Sequence, residues 1–254
     1  MHFALLAAAF SIAPGQTAGA DLSQGAVVEA LSWRIRPGVV LVPLREVMAP
    51  LEVVVEYDAA TTNILVDQLP LPKEWIEVRD KTTWIDLVHL QKWNQELGME
   101  WRQIDDRTVE LTRGISTVTV FRPPHRVEVS LKEQKLRGWQ GSRLYMETNC
   151  STGKGGYRTP AGVFDAGPEY TRHRVSRKYD NAPMPYAVQV EGGVFIHGSS
   201  SVPRYPASHG CVRMPMWGEN AARMFFEWVE PGSEIRIEQD FLTPLPAPLS
   251  PPNA

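Results

Sequence analysis

A chain of 254 residues with 43% apolar side chains and eight tryptophans has the material for one large hydrophobic core or two small ones. Its formal net charge of −3 lacks the basic footprint of a nucleic-acid binder. Two cysteines, Cys150 and Cys211, make no disulfide framework, and no apolar run is long enough for a membrane-spanning helix.

Taken from the N-terminus, Phe3 to Ala13 is almost wholly apolar but too short to cross a bilayer. Ala18-Gly19-Ala20 follows with the small-x-small pattern of a cleavage site. Residues 1–20 therefore read as a secretory signal peptide with Asp21 as the mature start. The mature protein is expected in the periplasm or at the cell wall, with no membrane span after signal removal.

Residues 27–113 read as a duplicated small α/β unit. Leu41 to Val47 leads into a helix in the first copy, and Leu51–Tyr57 and Asn63–Val66 follow as strands around a turn at Asp58. Trp84 to Leu90 leads into the second helix, followed by Leu97–Trp101 and Thr108–Leu111 around Asp105-Asp106. Leu87, Leu90 and Leu97 keep helical spacing, with Gly98 as C-cap. This stretch holds one histidine, His89, and no cysteine, so a metal-ligand cluster is not expected. A folded spacer or wall-facing module without chemistry is the expectation.

Gly114 to Pro124 marks the boundary, with Val118–Phe121 opening the second domain, over residues 116–240, or crossing into it before Pro123-Pro124 breaks the run. Arg126–Leu131 alternates as a strand, Lys132-Glu133-Gln134 turns, and Leu144–Thr148 is a strand entering Ser151-Thr152-Gly153-Lys154. Asp165 to Tyr179 is polar and irregular, and its cluster Arg172, His173, Arg174, Arg177 and Lys178 reads as a solvated loop that could also grip an anionic polymer. Val188–Val190 and Val194–Ile196 form a hairpin about Glu191-Gly192-Gly193. Residues 217–229 make one helix, with Ala221, Met224, Phe225 and Trp228 on its apolar face. Glu234–Ile237 closes the domain as a strand, and the Pro-rich residues 242–254 are expected to be disordered. Residues 114–254 hold 16 basic and 13 acidic side chains, against 10 and 16 in residues 21–113, a balance that suits an anionic substrate in the second half.

The chemistry concentrates in Val194–Pro215. One thiol, Cys211, sits between Gly210 and Val212, with His197 and His209 close in sequence. That is the material of a Cys–His nucleophile, in which an imidazole takes the thiol proton and the sulfur attacks a carbonyl. His197 ends a strand, which would fix its ring direction. Gly210 lets the backbone turn tightly beside the sulfur, where N–H groups could stabilise an oxyanion. Two competing readings are a small buried hydrophobe for Cys211 and a zinc site from His197, His209 and Cys211; the latter lacks the usual ligand spacing, so no metal and no cofactor is expected.

The pattern His197-Gly198 followed by Pro206-Ala207-Ser208-His209-Gly210-Cys211-Val212-Arg213 resembles the catalytic motif of the L,D-transpeptidase (YkuD-type) family. Ser151-Thr152-Gly153-Lys154, Thr159-Pro160-Ala161-Gly162-Val163-Phe164 and Ala182-Pro183-Met184-Pro185-Tyr186 are similar to further blocks of that family, in the same order. The resemblance implies a mostly-β catalytic domain with one helix after the cysteine, hence an α+β chain overall. It implies Cys211 as nucleophile, His197 as general base oriented by the Gly198 carbonyl, and Gly210 and Cys211 as oxyanion donors. His209 would support the site, by shaping the loop or by its charge. Tyr186 and Ser208 would face substrate, and Arg213 either a substrate carboxylate or a structural ion pair. The implied partner is the peptidoglycan stem peptide, cross-linked or attached to protein through a thioester acyl-enzyme. Alternatives are an L,D-carboxypeptidase and a wall-binding protein with a silent thiol. The motif V-P-L-R in residues 42–45 makes the N-terminal unit similar to the copper amine oxidase N-terminal-like domain, which implies no copper site here.

Overall fold

A computed structural model describes residues 25–245, so the predicted signal peptide and residues 246–254 lie outside the described residues. The chain is mostly β. In the N-terminal module the order strand, helix, three strands occurs twice. Val40–Pro43 leads into the helix Leu44–Met48, then Val55–Asp58, Asn63–Val66 and Leu69–Pro70. Thr82–Asp86 leads into Leu87–Trp93, then Glu100–Gln103, Thr108–Arg113 and Ser116–Phe121. The two leading strands lie antiparallel side by side, Val42 opposite Ile85, so the copies meet across their most apolar strands. Leu44, Val47, Leu87, Leu90 and Trp93 turn the helical faces into one core with Val42 and Ile85. Asp86 caps the second helix by accepting from the Val88 N–H.

One boundary moves. Ser116–Phe121 pairs with Thr108–Arg113 and, in parallel, with Ala26–Glu29, and Val118 and Val120 are buried in the N-terminal core. This strand closes the first module and does not open the second, because its alternating apolar face matches a sheet already formed.

The second module is a two-sheet sandwich. Its elements are β1 (His125–Ser130), β2 (Lys135–Gln140), β3 (Arg143–Asn149), β4 (Gly162–Asp165), β5 (Tyr170–Ser176), β6 (Ala182–Glu191), β7 (Val194–Ser199), β8 (Val212–Pro215), α1 (Ala221–Trp228) and β9 (Glu234–Glu238). One sheet has the order β3-β2-β1-β9-β4 and the other β5-β6-β7-β8. Val127, Val129, Leu136, Ile235 and Ile237 face Val188, Ile196, Val212 and Met214 across the core, and Phe225 and Trp228 of α1 pack into it.

Three local expectations change. The polar stretch from Asp165 to Tyr179 contains β5, whose backbone pairs with β6 although none of its side chains is buried. Helix α1 starts at Ala221 after a turn over 217–220, and its buried face is Ala222, Phe225, Phe226 and Trp228, with Ala221 and Met224 only partly buried. Residues 242–245 begin the supposed disordered tail, yet Arg137 donates to the Thr243 carbonyl at 3.1 Å and stacks over Phe241.

The modules share a seam. Leu31, Trp33, Leu41 and Trp84 belong to the core of the second module. The Trp33 indole N–H donates to the Tyr145 hydroxyl at 3.1 Å, and the backbone N–H groups of Arg34 and Ile35 donate to the Trp228 and Glu227 carbonyls, both at 3.2 Å. Gln140 accepts from the Ser32 N–H and donates to its hydroxyl. The Arg34 guanidinium lies 4.7 Å from the Tyr170 ring centre and 4.5 Å from that of Phe226, and donates to the Phe226 carbonyl. His125 stacks on Trp228 on the same seam, and burial lowers its pKa. The first module is thus packed onto the second, unlike a tethered spacer. The full chain should unfold in one transition, and Trp33→Ala should lower its stability by about 3 kcal/mol. Urea denaturation checks both; two separated transitions would contradict the shared core.

Candidate active site

Strands β7 and β8 are parallel neighbours, Ile196 opposite Val212 and His197 opposite Arg213. Parallel strands cannot be joined by a tight turn, so residues 200–211 form a crossover that returns the chain to the same end of the sheet. Ile196, Val212 and Met214 point into the core. By the two-residue period of a strand, Phe195, His197, Cys211 and Arg213 point the other way, into a cleft of about 970 Å³.

The crossover is tied down by the Ser151–Lys154 segment. Ser151 exchanges both backbone hydrogen bonds with Arg213, at 3.0 and 2.9 Å. The Thr152 carbonyl accepts from the Ala207 and Ser208 N–H groups, and the Lys154 N–H donates to the Ser208 carbonyl. The Thr159 hydroxyl accepts from the Gly153 N–H and donates to the Gly210 carbonyl, both at 2.8 Å. Gly153 is required here, since a Cβ would lie 1.9 Å from the Tyr157 carbonyl oxygen. A threonine before proline carries no sign in sequence of its distant partner, so the role of Thr159 is visible only in the fold.

His197 is buried, and its Nδ1 lies 2.8 Å from the Gly198 carbonyl oxygen. A carbonyl only accepts, so Nδ1 carries the proton and Nε2 is left with the free lone pair. Burial lowers its pKa to about 4, against the raising effect of that hydrogen bond. The imidazole is therefore neutral at pH 7. Cys211 is half-buried, and its thiol donates to the Gly193 carbonyl at 3.8 Å. Burial raises its pKa, opposed by the Phe195 N–H and by Arg213 and Arg174. The resting groups are a thiol and a neutral imidazole.

Arg213 lines the cleft and makes no ion pair among the described residues, so of its two expected roles the structural ion pair is not observed. Arg174, Arg177 and Lys178 line the same cleft, and no Asp or Glu does. Arg174 pairs with Glu169 and lies over the Phe195 ring at 3.9 Å. The basic cluster that reads as a solvated loop is thus in part the cleft wall. His209 is exposed, stacked on Tyr179 at 4.4 Å and edge-on to Tyr157 at 4.8 Å. Its pKa is lowered by desolvation and then by Lys154, Arg213 and Lys178.

Three expected roles do not fit their residues. The Ser208 hydroxyl is consumed within the loop, donating to the Cys211 carbonyl at 2.5 Å and accepting from the Gly210 N–H at 3.1 Å. Ser208 thus lies on the cleft lining with its hydroxyl committed to the loop, and the Gly210 N–H is not free for an oxyanion. Tyr186 packs its ring on Phe226, 5.9 Å between centroids, and is absent from the cleft lining. Cys150 is 0% exposed and unpaired, its pKa pushed up to about 12 by burial. Among the described residues no group of three or more His, Cys, Asp or Glu is arranged to hold a metal ion.

Residues 124–237 match the family model of the L,D-transpeptidase catalytic domain, YkuD; the N-terminal module lies outside the match. No curated protein matches the chain. Among solved structures, an L,D-transpeptidase (Yku) from Stackebrandtia nassauensis is 22% identical with a TM-score of 0.41, over 45% of this chain and 55% of that one. The L,D-transpeptidase from Xylanimonas cellulosilytica is 29% identical with a TM-score of 0.41, over 46% and 61%. An L,D-transpeptidase from Mycobacterium smegmatis is 17% identical with a TM-score of 0.41, over 84% and 94%. The chain thus spans 55% and 61% of the length of the first two.

Two outcomes follow from the electrostatics. An unfolded histidine takes up its proton near pH 6.5 and folded His197 only near 4, so the unfolded state binds more protons between those values. Stability falls as pH drops through that window and levels off below it. Between pH 7 and 4.5 the wild type should lose about 2–3 kcal/mol more than His197→Gln, read by urea denaturation. An iodoacetamide time course with peptide mapping should label Cys211 and spare Cys150, with a rate that keeps rising above pH 8; a plateau below pH 7 would indicate a resting thiolate.

Proposed function

From residues 124–237 as an L,D-transpeptidase catalytic domain, we propose that this protein is an exported L,D-transpeptidase acting on peptidoglycan stem peptides through a Cys211 thioester. The observation that carries the reading is the neutral His197, held by the Gly198 carbonyl, beside Cys211 in a cleft whose charged lining is wholly cationic.

The donor tetrapeptide enters with its terminal D-alanine carboxylate toward Arg213, for which a guanidinium offers paired donors. Rotation of the Cys211 side chain turns Sγ from the Gly193 carbonyl toward His197 Nε2. Sγ attacks the carbonyl carbon of the L-centre before the D-alanine while Nε2 takes the thiol proton. The carbonyl oxygen becomes an oxyanion, met by the Cys211 N–H. Collapse breaks the C–N bond, and the proton on Nε2 leaves with the D-alanine amine. The acceptor amine then attacks the thioester carbon and gives a proton to Nε2; the C–S bond breaks, and Nε2 returns that proton to Sγ. His209 acts through the loop it braces, since its ring is held by Tyr179 and Tyr157.

Export to the periplasm or wall agrees with the signal-like residues 1–20 and with a substrate outside the cytoplasm. No helix among the described residues is long and apolar enough to cross a membrane.

Incubation with a carbapenem should give a covalent adduct on Cys211 by mass spectrometry. His197→Ala should slow its formation by about 10²–10⁴-fold with the fold retained by circular dichroism. No adduct on the wild type would leave a wall-binding protein with a silent thiol. A tetrapeptide donor with an added amine reads the second half: cross-linked product means transpeptidation, and free tripeptide alone means L,D-carboxypeptidase.

A further inference from the structure

Beside the catalytic cleft lies a second groove, of about 660 Å³, on the far side of the ridge formed by Pro215, Met216 and Trp217. Met216 faces the catalytic cleft, whereas Pro215 and Trp217 face the groove. Its other wall is the free edge of β3, from Tyr145 to Asn149, which pairs only with β2. Arg204, from the crossover loop that carries Cys211, closes one side.

The lining differs in kind from that of the catalytic cleft. Two cations, Lys135 and Arg204, are balanced by two carboxylates, Glu147 and Glu219, and Thr148 and Asn149 add uncharged polar groups. Trp217 stands beside them 56% exposed. It is not on a loose loop, since its carbonyl accepts from the N–H of Asn220, the N-cap of α1. A large indole held at the surface on a turn offers the groove a flat apolar platform. The charge balance disfavours a nucleic acid or an acidic peptide, and the polar wall disfavours a lipid. A flat apolar face amid hydrogen-bonding groups suits a sugar ring, whose C–H face lies on the indole while its hydroxyl and acetamide groups bond at the edges.

We propose that this groove binds the glycan strand of the substrate polymer, an N-acetylated hexosamine chain, with Trp217 as its stacking platform. The identity of the sugar rests on the proposed function, because a stem peptide entering the cleft is attached to such a strand, which must run over the adjacent surface. The site would then read the polymer on two sides of one ridge, peptide on the cationic side and sugar on the neutral side.

The test uses the full chain with Cys211→Ala, so that binding is read without turnover, and a peptide-free tetrasaccharide of alternating N-acetylglucosamine and N-acetylmuramic acid. Calorimetry should detect binding, and NMR should shift the indole N–H signal of Trp217. Adding Trp217→Ala should weaken binding at least tenfold, and Glu219→Gln should weaken it less. In the chain with Cys211 intact, Trp217→Ala should leave iodoacetamide labelling of Cys211 unchanged, which guards against misfolding. Absence of saccharide binding at millimolar concentration, or equal affinity with and without Trp217, would overturn the proposal. So would displacement of the saccharide by a free stem peptide, which would assign the groove to a strand added at β3. Carbapenem acylation of the wild type is a separate reading, so loss of one result does not obscure the other.

Discussion

The site depends on one hydroxyl. Thr159 receives the Gly153 N–H and gives its proton to the Gly210 carbonyl, so a single side chain joins the supporting segment to the residue before the thiol. A crossover loop of this length pays a large ordering entropy unless its backbone groups find fixed partners. Here they find them in the Ser151–Lys154 segment, which runs along the loop, and in Ser208, whose hydroxyl closes it from within. Parallel pairing of β7 and β8 forces the crossover to exist, and the Thr159 and Ser208 clamps decide where along it the sulfur stops.

The same reasoning reaches the cleft wall opposite. The β5–β6 hairpin carries Arg174 and Tyr179 at its outer half and Tyr170 and Tyr186 nearer its base. The base is wedged by Arg34 of the N-terminal module between Tyr170 and Phe226, and Arg172 faces Glu227 at 3.7 Å. A module without catalytic groups of its own therefore bears on the wall of the cleft through packing.

What was legible in sequence was local. The motif around Cys211 brought Cys211, His197 and the Gly198 carbonyl to one cleft, because they lie within one strand–loop–strand. The apolar run Val194-Phe195-Ile196 and the turn at Glu191-Gly192-Gly193 marked the hairpin. What was not legible depended on partners far away in the chain. Ser116–Phe121 alternates like any half-buried strand, and only its neighbours assign it to the first module. β5 is rich in Arg and His, so its strand character comes from pairing with β6 and leaves no apolar period. Ser208 and Tyr186 sit in motif blocks beside the site, but their side chains turn to the loop interior and to Phe226, which spacing alone does not reveal.

The choice of a carbonyl as the partner of His197 has an electrostatic consequence. A buried carboxylate there would favour the imidazolium and raise the pKa, whereas a neutral carbonyl fixes the tautomer and leaves desolvation dominant. The base therefore stays unprotonated across neutral pH, and the thiol, itself desolvated, stays protonated. Neither group carries charge until a substrate enters. In the proposed reaction the cationic lining would pair with a substrate anion, and the charge formed on attack would arise inside a site already arranged for it. A resting thiolate would be open to disulfide exchange and oxidation. A protonated thiol, with Cys150 walled off in the core, avoids both while keeping a base within the same strand pair.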